Sequence, residues 1–212
     1  MRCRAARIAA ICLAFASTCV WAQSARAQTG DAPADRPRFE AGLQLAVARS
    51  GEFDAGDSGV GGRLGFRPVA PVGIEAEVTV YPGAFPGRRP FSRARIEGLF
   101  GVTVGPTLGR VRPFARARPG FLVIRQSSEP VACILIFPPP LACVLAGGRT
   151  VPAIDLGGGL EVSATSRALV RVDVGDRLLR YPAPAFDSDR SIQQRPFVGH
   201  DVRVAFGAVL RF

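Results

Sequence analysis

The stretch Val202-Arg-Val-Ala-Phe-Gly-Ala-Val-Leu-Arg-Phe212 decides the fold. Val202, Val204, Phe206, Ala208, Leu210 and Phe212 fall on one side of a period of two, and Arg203, Ala205, Gly207, Val209 and Arg211 on the other. Such alternation is the signature of a strand with one apolar face and one charged or small face.

Working back along the chain, the same split returns seven times. Phe39, Ala41, Leu43, Leu45 and Val47 oppose Glu40, Gly42, Gln44 and Ala46. Leu64 and Phe66 oppose Arg63 and Arg67, while Ile74, Ala76, Val78 and Val80 oppose Glu75, Glu77 and Thr79. Ile96, Phe100 and Val102 stand against Arg95 and Glu97; Ala115, Ala117, Phe121 and Val123 stand against Arg116, Arg118 and Gly120. Ile154, Leu156, Gly158, Leu160 and Val162 oppose Asp155, Gly157, Gly159 and Glu161, and Val170, Val172 and Val174 oppose Arg171, Asp173 and Gly175. Eight strands are expected between residues 38 and 212.

The polar faces carry Glu40, Glu75, Glu77, Glu97, Asp155, Glu161 and Asp173 beside Arg63, Arg67, Arg95, Arg116, Arg118, Arg171 and Arg203. A water-facing surface has no need for seven acids to meet seven arginines. A narrow interior does, because each buried charge without a partner costs several kcal/mol. Eight strands close into a barrel just wide enough for side chains to fill, so a plugged lumen is expected, with glycines making room for the long arginines. Glu75 and Glu77 share a face and are expected to pair with Arg63 and Arg95 on neighbouring strands rather than to form a two-carboxylate catalytic site. Gly157-Gly-Gly159 reads as a thinned strand, since no helix follows it to cradle a phosphate.

Length and composition agree. The 212 residues suit one domain, and 48% hydrophobic against 21% charged residues with a mean hydropathy of +0.20 exclude disorder. All 27 basic residues are arginine, against 17 acids, for a formal +10. Arg2, Arg4 and Arg7 precede the apolar run Ile8–Ala16, too short to span a bilayer, and Ala25-Arg26-Ala27 fits a cleavage pattern, so residues 1–27 read as an export signal. Cleavage after Ala22 fits too. Removing residues 1–27 takes away four arginines and no acid, which leaves +6 and weakens any case for nucleic acid. Residues 28–37 form a short N-terminal segment. No later segment reaches the 18 to 20 apolar residues of a membrane helix, so a chain that enters a membrane does so as strands.

Cys3, Cys12 and Cys19 leave with the signal, and Cys133 and Cys143 remain as a disulfide pair in an exported chain. The loop they close contains Pro138, Pro139 and Pro140, which place it outside the sheet. It also holds Ile134, Leu135, Ile136, Phe137 and Leu141, unusually apolar for a solvated loop. Three roles fit it: dipping into a lipid leaflet, binding a partner, or folding over the barrel mouth. Connections alternate between short (68–72, 105–109, 164–167) and long (81–91, 126–150, 181–199), which assigns turns to a periplasmic end and loops to an outer end.

In this pattern, in segments such as Gly73-Ile-Glu-Ala-Glu-Val78 and Val111-Arg-Pro-Phe-Ala-Arg-Ala-Arg-Pro-Gly-Phe121, and in its terminal Phe212, the chain resembles the small outer-membrane β-barrel proteins of the outer-membrane protein A-like transmembrane-domain type. The resemblance implies an all-β, eight-stranded, antiparallel up-and-down transmembrane barrel in the bacterial outer membrane over residues 38–212. It also implies that Phe206, Leu210 and Phe212 form the signal read by the barrel-assembly machinery. With only Tyr81 and Tyr181 left after the signal, an aromatic girdle would consist mostly of phenylalanine.

The expected function is a non-enzymatic, structural or surface-interaction role in a monomer surrounded by outer-membrane lipids and lipopolysaccharide, with no cofactor and no metal. Arg88, Arg89, Arg149, Arg190 and Arg195 fit either contact with lipopolysaccharide phosphates or a solvated rim. Three alternatives stand beside this reading: a lipid A-modifying enzyme built on the only histidine, His200, with Ser188 or Ser191; a narrow small-solute channel; and a soluble lipid-binding barrel.

Overall fold

A computed structural model describes residues 38–85, 92–127, 137–187 and 191–212. The expected signal peptide and N-terminal segment, residues 1–37, lie outside the described residues. The barrel strands are β1 (Arg38–Ser50), β2 (Gly56–Val69), β3 (Val72–Phe85), β4 (Ser92–Val104), β5 (Val111–Ile124), β6 (Arg149–Ser163) and β7 (Ala168–Tyr181). After a two-residue hairpin of β8 (Ala185–Phe186) and β9 (Ile192–Gln193), β10 (Phe197–Arg211) completes them. A short helix, α1 (Leu141–Ala146), sits between β5 and β6.

Each barrel strand pairs antiparallel with its neighbour, and β10 returns to β1, in register from Glu40 opposite Arg211 to Ser50 opposite Asp201. The barrel is closed and therefore has no edge strand. At the seam Phe212 N–H donates to Phe39 O at 2.9 Å, and on the other side of β10 Arg211 N–H donates to Arg167 O, just before β7, at 2.7 Å.

The strands run further than the sequence segments suggested, because alternation continues through glycine and short polar residues that carry little hydropathy. β2 starts at Gly56 rather than Val60, so the first loop shrinks to residues 51–55. At the opposite end β2 and β3 are joined through Ala70-Pro71 alone, beside a register shift between Phe66 and Val69. The β4–β5 turn uses Gly109 at φ +62°, a conformation that a residue with a Cβ adopts only at a cost.

The alternation resolves into an exposed apolar exterior and a buried polar interior. Leu43 is 73% exposed, Phe206 55% and Val172 44%, whereas Glu77 and Arg171 are buried. Among the described strand residues, the outward positions bearing charge or a titratable ring are Arg49, Asp176, Arg180 and His200, all near the loop end. No helix of the described chain is long and apolar enough to cross a membrane, and the apolar surface is carried by strands.

Candidate functional site

The interior is layered along the barrel axis. At the turn end, Arg67 bridges Glu40 (3.1 Å) and Glu161 (2.9 Å), Arg211 lies 2.8 Å from Glu40, and Arg112 lies 3.2 Å from Glu161. Arg112 also donates to the Pro71 carbonyl, which ties the ion pairs to the β2–β3 turn.

The middle layer is shared among five strands. Arg118 on β5 reaches Glu77 at 2.6 Å, Glu75 at 3.0 Å and Asp155 at 2.7 Å. Arg63 on β2 bridges Glu77 and Asp173, and Arg171 on β7 bridges Glu75, Glu161 and Asp173. Arg116 binds Asp155 and Asp173, both at 2.9 Å. Gln44 Oε1 accepts from Arg63, and Gln44 Nε2 donates to Thr79. The Arg171 guanidinium lies 4.1 Å from the centroid of the Phe114 ring, a cation–π contact inside the lumen. Space for these groups comes from the glycine run in β6. A Cβ on Gly159 would stand 2.8 Å from Phe114 Cζ and 3.0 Å from Asp173 Oδ1.

Toward the loop end, Arg203 pairs with Glu77 and Glu97 and donates from Nε to the Tyr81 hydroxyl at 3.3 Å. Arg177 pairs with Glu97 and Asp201, and Arg95 pairs with Asp57. Arg95 thus does not join Glu75 or Glu77 as the sequence suggested. The β3–β4 register sets Arg95 opposite Tyr81 and Glu77 opposite Leu99, so the guanidinium enters the lumen closer to the loops.

Above this layer the lumen becomes apolar. Leu122, Ile124, Val151, Ala153, Leu179 and Tyr181 point inward from β5, β6 and β7 and pack with Leu141 and Leu145 of α1 and with Ala185. Phe53, Val144 and Phe197 close over them. Phe53 meets the Tyr181 ring edge-on, with centroids 6.3 Å apart. The described half of the long loop therefore folds over the mouth, one of the three roles open from sequence, while Phe137 stays 83% exposed. Cys143 lies in α1, whereas its expected partner Cys133 and the residues Ile134–Ile136 lie outside the described residues.

Sequence reasoning missed Asp57, Asp201, Arg112, Arg177 and the pairing role of Arg211. Extending each alternation by two residues would have found Arg177 and Asp201, and reading through Gly61 and Gly59 would have found Asp57. Tyr81 and Tyr181, which the sequence left as girdle candidates, are each 1% exposed and serve the interior. Outward aromatics such as Phe39, Phe100 and Phe121 take the exterior. Phe206 and Leu210 point outward from β10, and Phe212 just beyond its end is exposed as well. His200 also points outward, with Nδ1 2.8 Å from Asp176 Oδ2, a partner the sequence did not identify. No serine hydroxyl hydrogen-bonds His200 among the described residues; Ser188 lies outside them, and Ser191 is used in the β8–β9 connection, where its N–H donates to Asp187. Arg149 and Arg195 are exposed at the loop end, and Arg88, Arg89 and Arg190 lie outside the described residues.

No protein-family model matches the chain, and no curated protein matches its sequence. Among solved structures, the chain is similar to the N-terminal β-barrel domain of Pseudomonas aeruginosa OprF, with a TM-score of 0.52 and 10% identity. That match covers 82% of this chain and 97% of the OprF domain. Neisserial surface protein A matches with a TM-score of 0.50 and 12% identity, over 82% of this chain and 97% of its own. The fold is that of the small bacterial outer-membrane barrels.

Proposed function

We propose that this outer-membrane barrel is a non-enzymatic protein with a structural or surface-interaction role and a lumen closed to solutes. The observation that carries the reading is the filled cross-section. The middle layer is filled by ion-paired side chains of β2, β3, β5, β6 and β7, with Arg63 reaching Asp173 and Arg171 reaching Glu75 across the lumen, and the mouth above it is packed by α1. The outcome expected of the mature chain in planar bilayers is an absence of discrete conductance steps at moderate voltage. Reproducible single-channel steps from protein purified to homogeneity would sink the closed-lumen reading.

Partners follow from the surface. Lipid chains cover the apolar band, and phosphorylated headgroups, those of lipopolysaccharide included, meet Arg49 and Arg180 at its upper edge. The assembly machinery reads the outward Phe206, Leu210 and Phe212, and the barrel functions as a monomer. The test for the assembly signal is deletion of Phe212, with the fraction of heat-modifiable barrel in isolated outer membranes as the readout.

A second reading is favoured by one contact. His200 and Asp176 form a base and an orienting carboxylate at the lipid-facing loop end, 2.8 Å apart. As a lipid A-modifying enzyme the chain would lose activity in His200→Ala. Lipid A mass profiles from cells expressing the native chain and that variant decide the matter: a product peak lost only in the variant establishes the enzyme, and identical profiles retain the structural role.

A further inference from the structure

The two rims of the barrel differ in charge. At the loop end acids such as Glu52, Asp54 and Asp176 stand among the arginines, and Arg49 is paired with Asp54 at 2.6 Å. At the turn end the exposed charged side chains are Arg38, Arg110 and Arg167, with no exposed acid beside them among the described residues. The two acids of that end, Glu40 and Glu161, are turned into the lumen, where Arg67, Arg112 and Arg211 hold them. Asp31, Asp35 and Arg36, which precede β1 in the chain, remove only one charge from this excess.

The three cations lie on one side of the rim. Neighbouring strands run β1, β10, β7, β6, β5 around the barrel; Arg38 opens β1, Arg167 immediately precedes β7 and Arg110 immediately precedes β5. Backbone hydrogen bonds fix them to that edge. Arg167 O accepts from Arg211 N–H and Arg110 O from Ser163 N–H, both at 2.7 Å, and Phe39 O, next to Arg38, accepts from Phe212 N–H at 2.9 Å. They form a basic arc below five consecutive strands, whereas the β2–β3 turn, Ala70-Pro71, carries no charge. The arc borders the apolar exterior directly. Phe39 beside Arg38 is 63% exposed, Leu108 two residues before Arg110 is 51% exposed, and the outward Val170 follows Arg167 by three residues. At about 3.3 Å per strand residue, the guanidinium groups reach the level where the apolar band ends, which is the depth of lipid headgroups.

We propose that the arc of Arg38, Arg110 and Arg167 is a binding surface for anionic phospholipid headgroups in the leaflet at the turn end, selecting them over zwitterionic ones. Two physical terms favour this partner. The negative surface potential of an anionic leaflet attracts cations held at its surface, and a guanidinium donates two parallel hydrogen bonds to a phosphate. A cell-wall polymer is the other polyanion at a periplasmic end, but it lies beyond the headgroups, whereas the arc is level with them and backed by apolar side chains. This surface shares no residue with the loop-end contacts of Arg49 and Arg180 proposed above, so either can fail alone.

The test compares urea midpoints of the refolded mature chain in vesicles of phosphatidylcholine and in vesicles of an equimolar mixture with phosphatidylglycerol, at low salt. The native midpoint should be higher in the mixture. The triple variant Arg38→Gln, Arg110→Gln, Arg167→Gln should lose most of that difference while keeping the native midpoint in phosphatidylcholine alone, which a merely structural role would not allow. Lysine at the same three positions should restore most of the difference, and about 1 M salt, where screening acts over about 3 Å, should abolish it. Arg49→Gln with Arg180→Gln reads the loop end separately and should leave in place the share that the triple variant loses. Arg110→Gln alone, in the exposed β4–β5 turn, should lose part of the difference and gives the same reading if the triple variant does not refold. A native chain with no lipid preference, glutamine variants that keep the native difference, or a lysine variant no better than glutamine overturns the proposal. Co-sedimentation with purified peptidoglycan that the glutamine variants lose, without any lipid preference, also overturns it and assigns the arc to the wall.

Discussion

One lumen is closed by two chemistries stacked along its axis, and they bear damage differently. In the middle layer each charge is held by several others: Arg118 touches three carboxylates and Glu77 touches three arginines. At the mouth, Leu122, Leu141, Leu145 and Leu179 touch one another without direction or valence. Directional networks specify one arrangement and fail when one member is removed, whereas apolar packing tolerates replacement by anything of similar volume. The barrel body thus depends on pairwise completeness, and the lid depends on buried area.

The largest effect is expected where completeness is broken. Glu77→Leu removes the carboxylate shared by Arg63, Arg118 and Arg203 and strands charge in the lumen, at a cost of about 3–5 kcal/mol. Urea titration of the barrel in lipid vesicles measures it. A loss below about 1 kcal/mol would mean that water enters the lumen freely and that the interior is not the closed network described.

Phe206→Arg attacks the other face of the barrel wall, on β10. A charge placed on the lipid face near the midplane of a barrel costs about 2–4 kcal/mol, so this variant should lose most of that amount in vesicles. In a barrel whose apolar face met water the same change would be neutral or stabilising, so the sign alone tests the orientation of the two faces.

Leu145→Ala probes the lid. Removing a buried leucine side chain costs roughly 2–5 kcal/mol where the surroundings cannot collapse. Here the loss falls on lid closure more than on the barrel, because α1 packs on the strand ends without joining their hydrogen-bond ladder. Limited proteolysis within residues 125–148 should accelerate while the urea midpoint of the strands barely moves. Equal shifts in both would show that lid and barrel unfold as one unit.

The sequence made this two-part body only half legible, for physical reasons. Strand identity and facing were readable at Phe206, Val172, Glu77 and Arg171 because period two needs only local neighbours. The identity of each ionic partner was not, since it depends on register: Arg95 looked like a partner for Glu75 and Glu77 until the β3–β4 pairing set it opposite Tyr81. The apolar lid was visible as composition around Phe137 and Leu141, but composition cannot distinguish a segment folded inward from one offered to lipid. Only the inward Leu122, Val151 and Leu179 decide that, and they lie at the loop ends of β5, β6 and β7, where residues on both faces are apolar and hydropathy no longer separates them.

The smallest effect sharpens the contrast most. Arg49–Asp54 and Arg177–Asp201 are both arginine–aspartate pairs at 2.6 Å. Their side chains are 71% and 83% exposed in the first pair and 2% and 3% in the second, so the chemistry and distance are held constant while burial changes. An exposed pair exchanges one solvated state for another, and salt screens what remains. Arg49→Ala should therefore leave the urea midpoint unchanged within error at any ionic strength. Arg177→Ala, which strips Asp201 of its arginine and leaves Glu97 with Arg203 alone in a buried layer, should shift it by an amount comparable with Glu77→Leu and insensitive to salt. Equal effects of the two substitutions would show that contact distance, and not exclusion of water, sets the strength of ion pairs in this barrel.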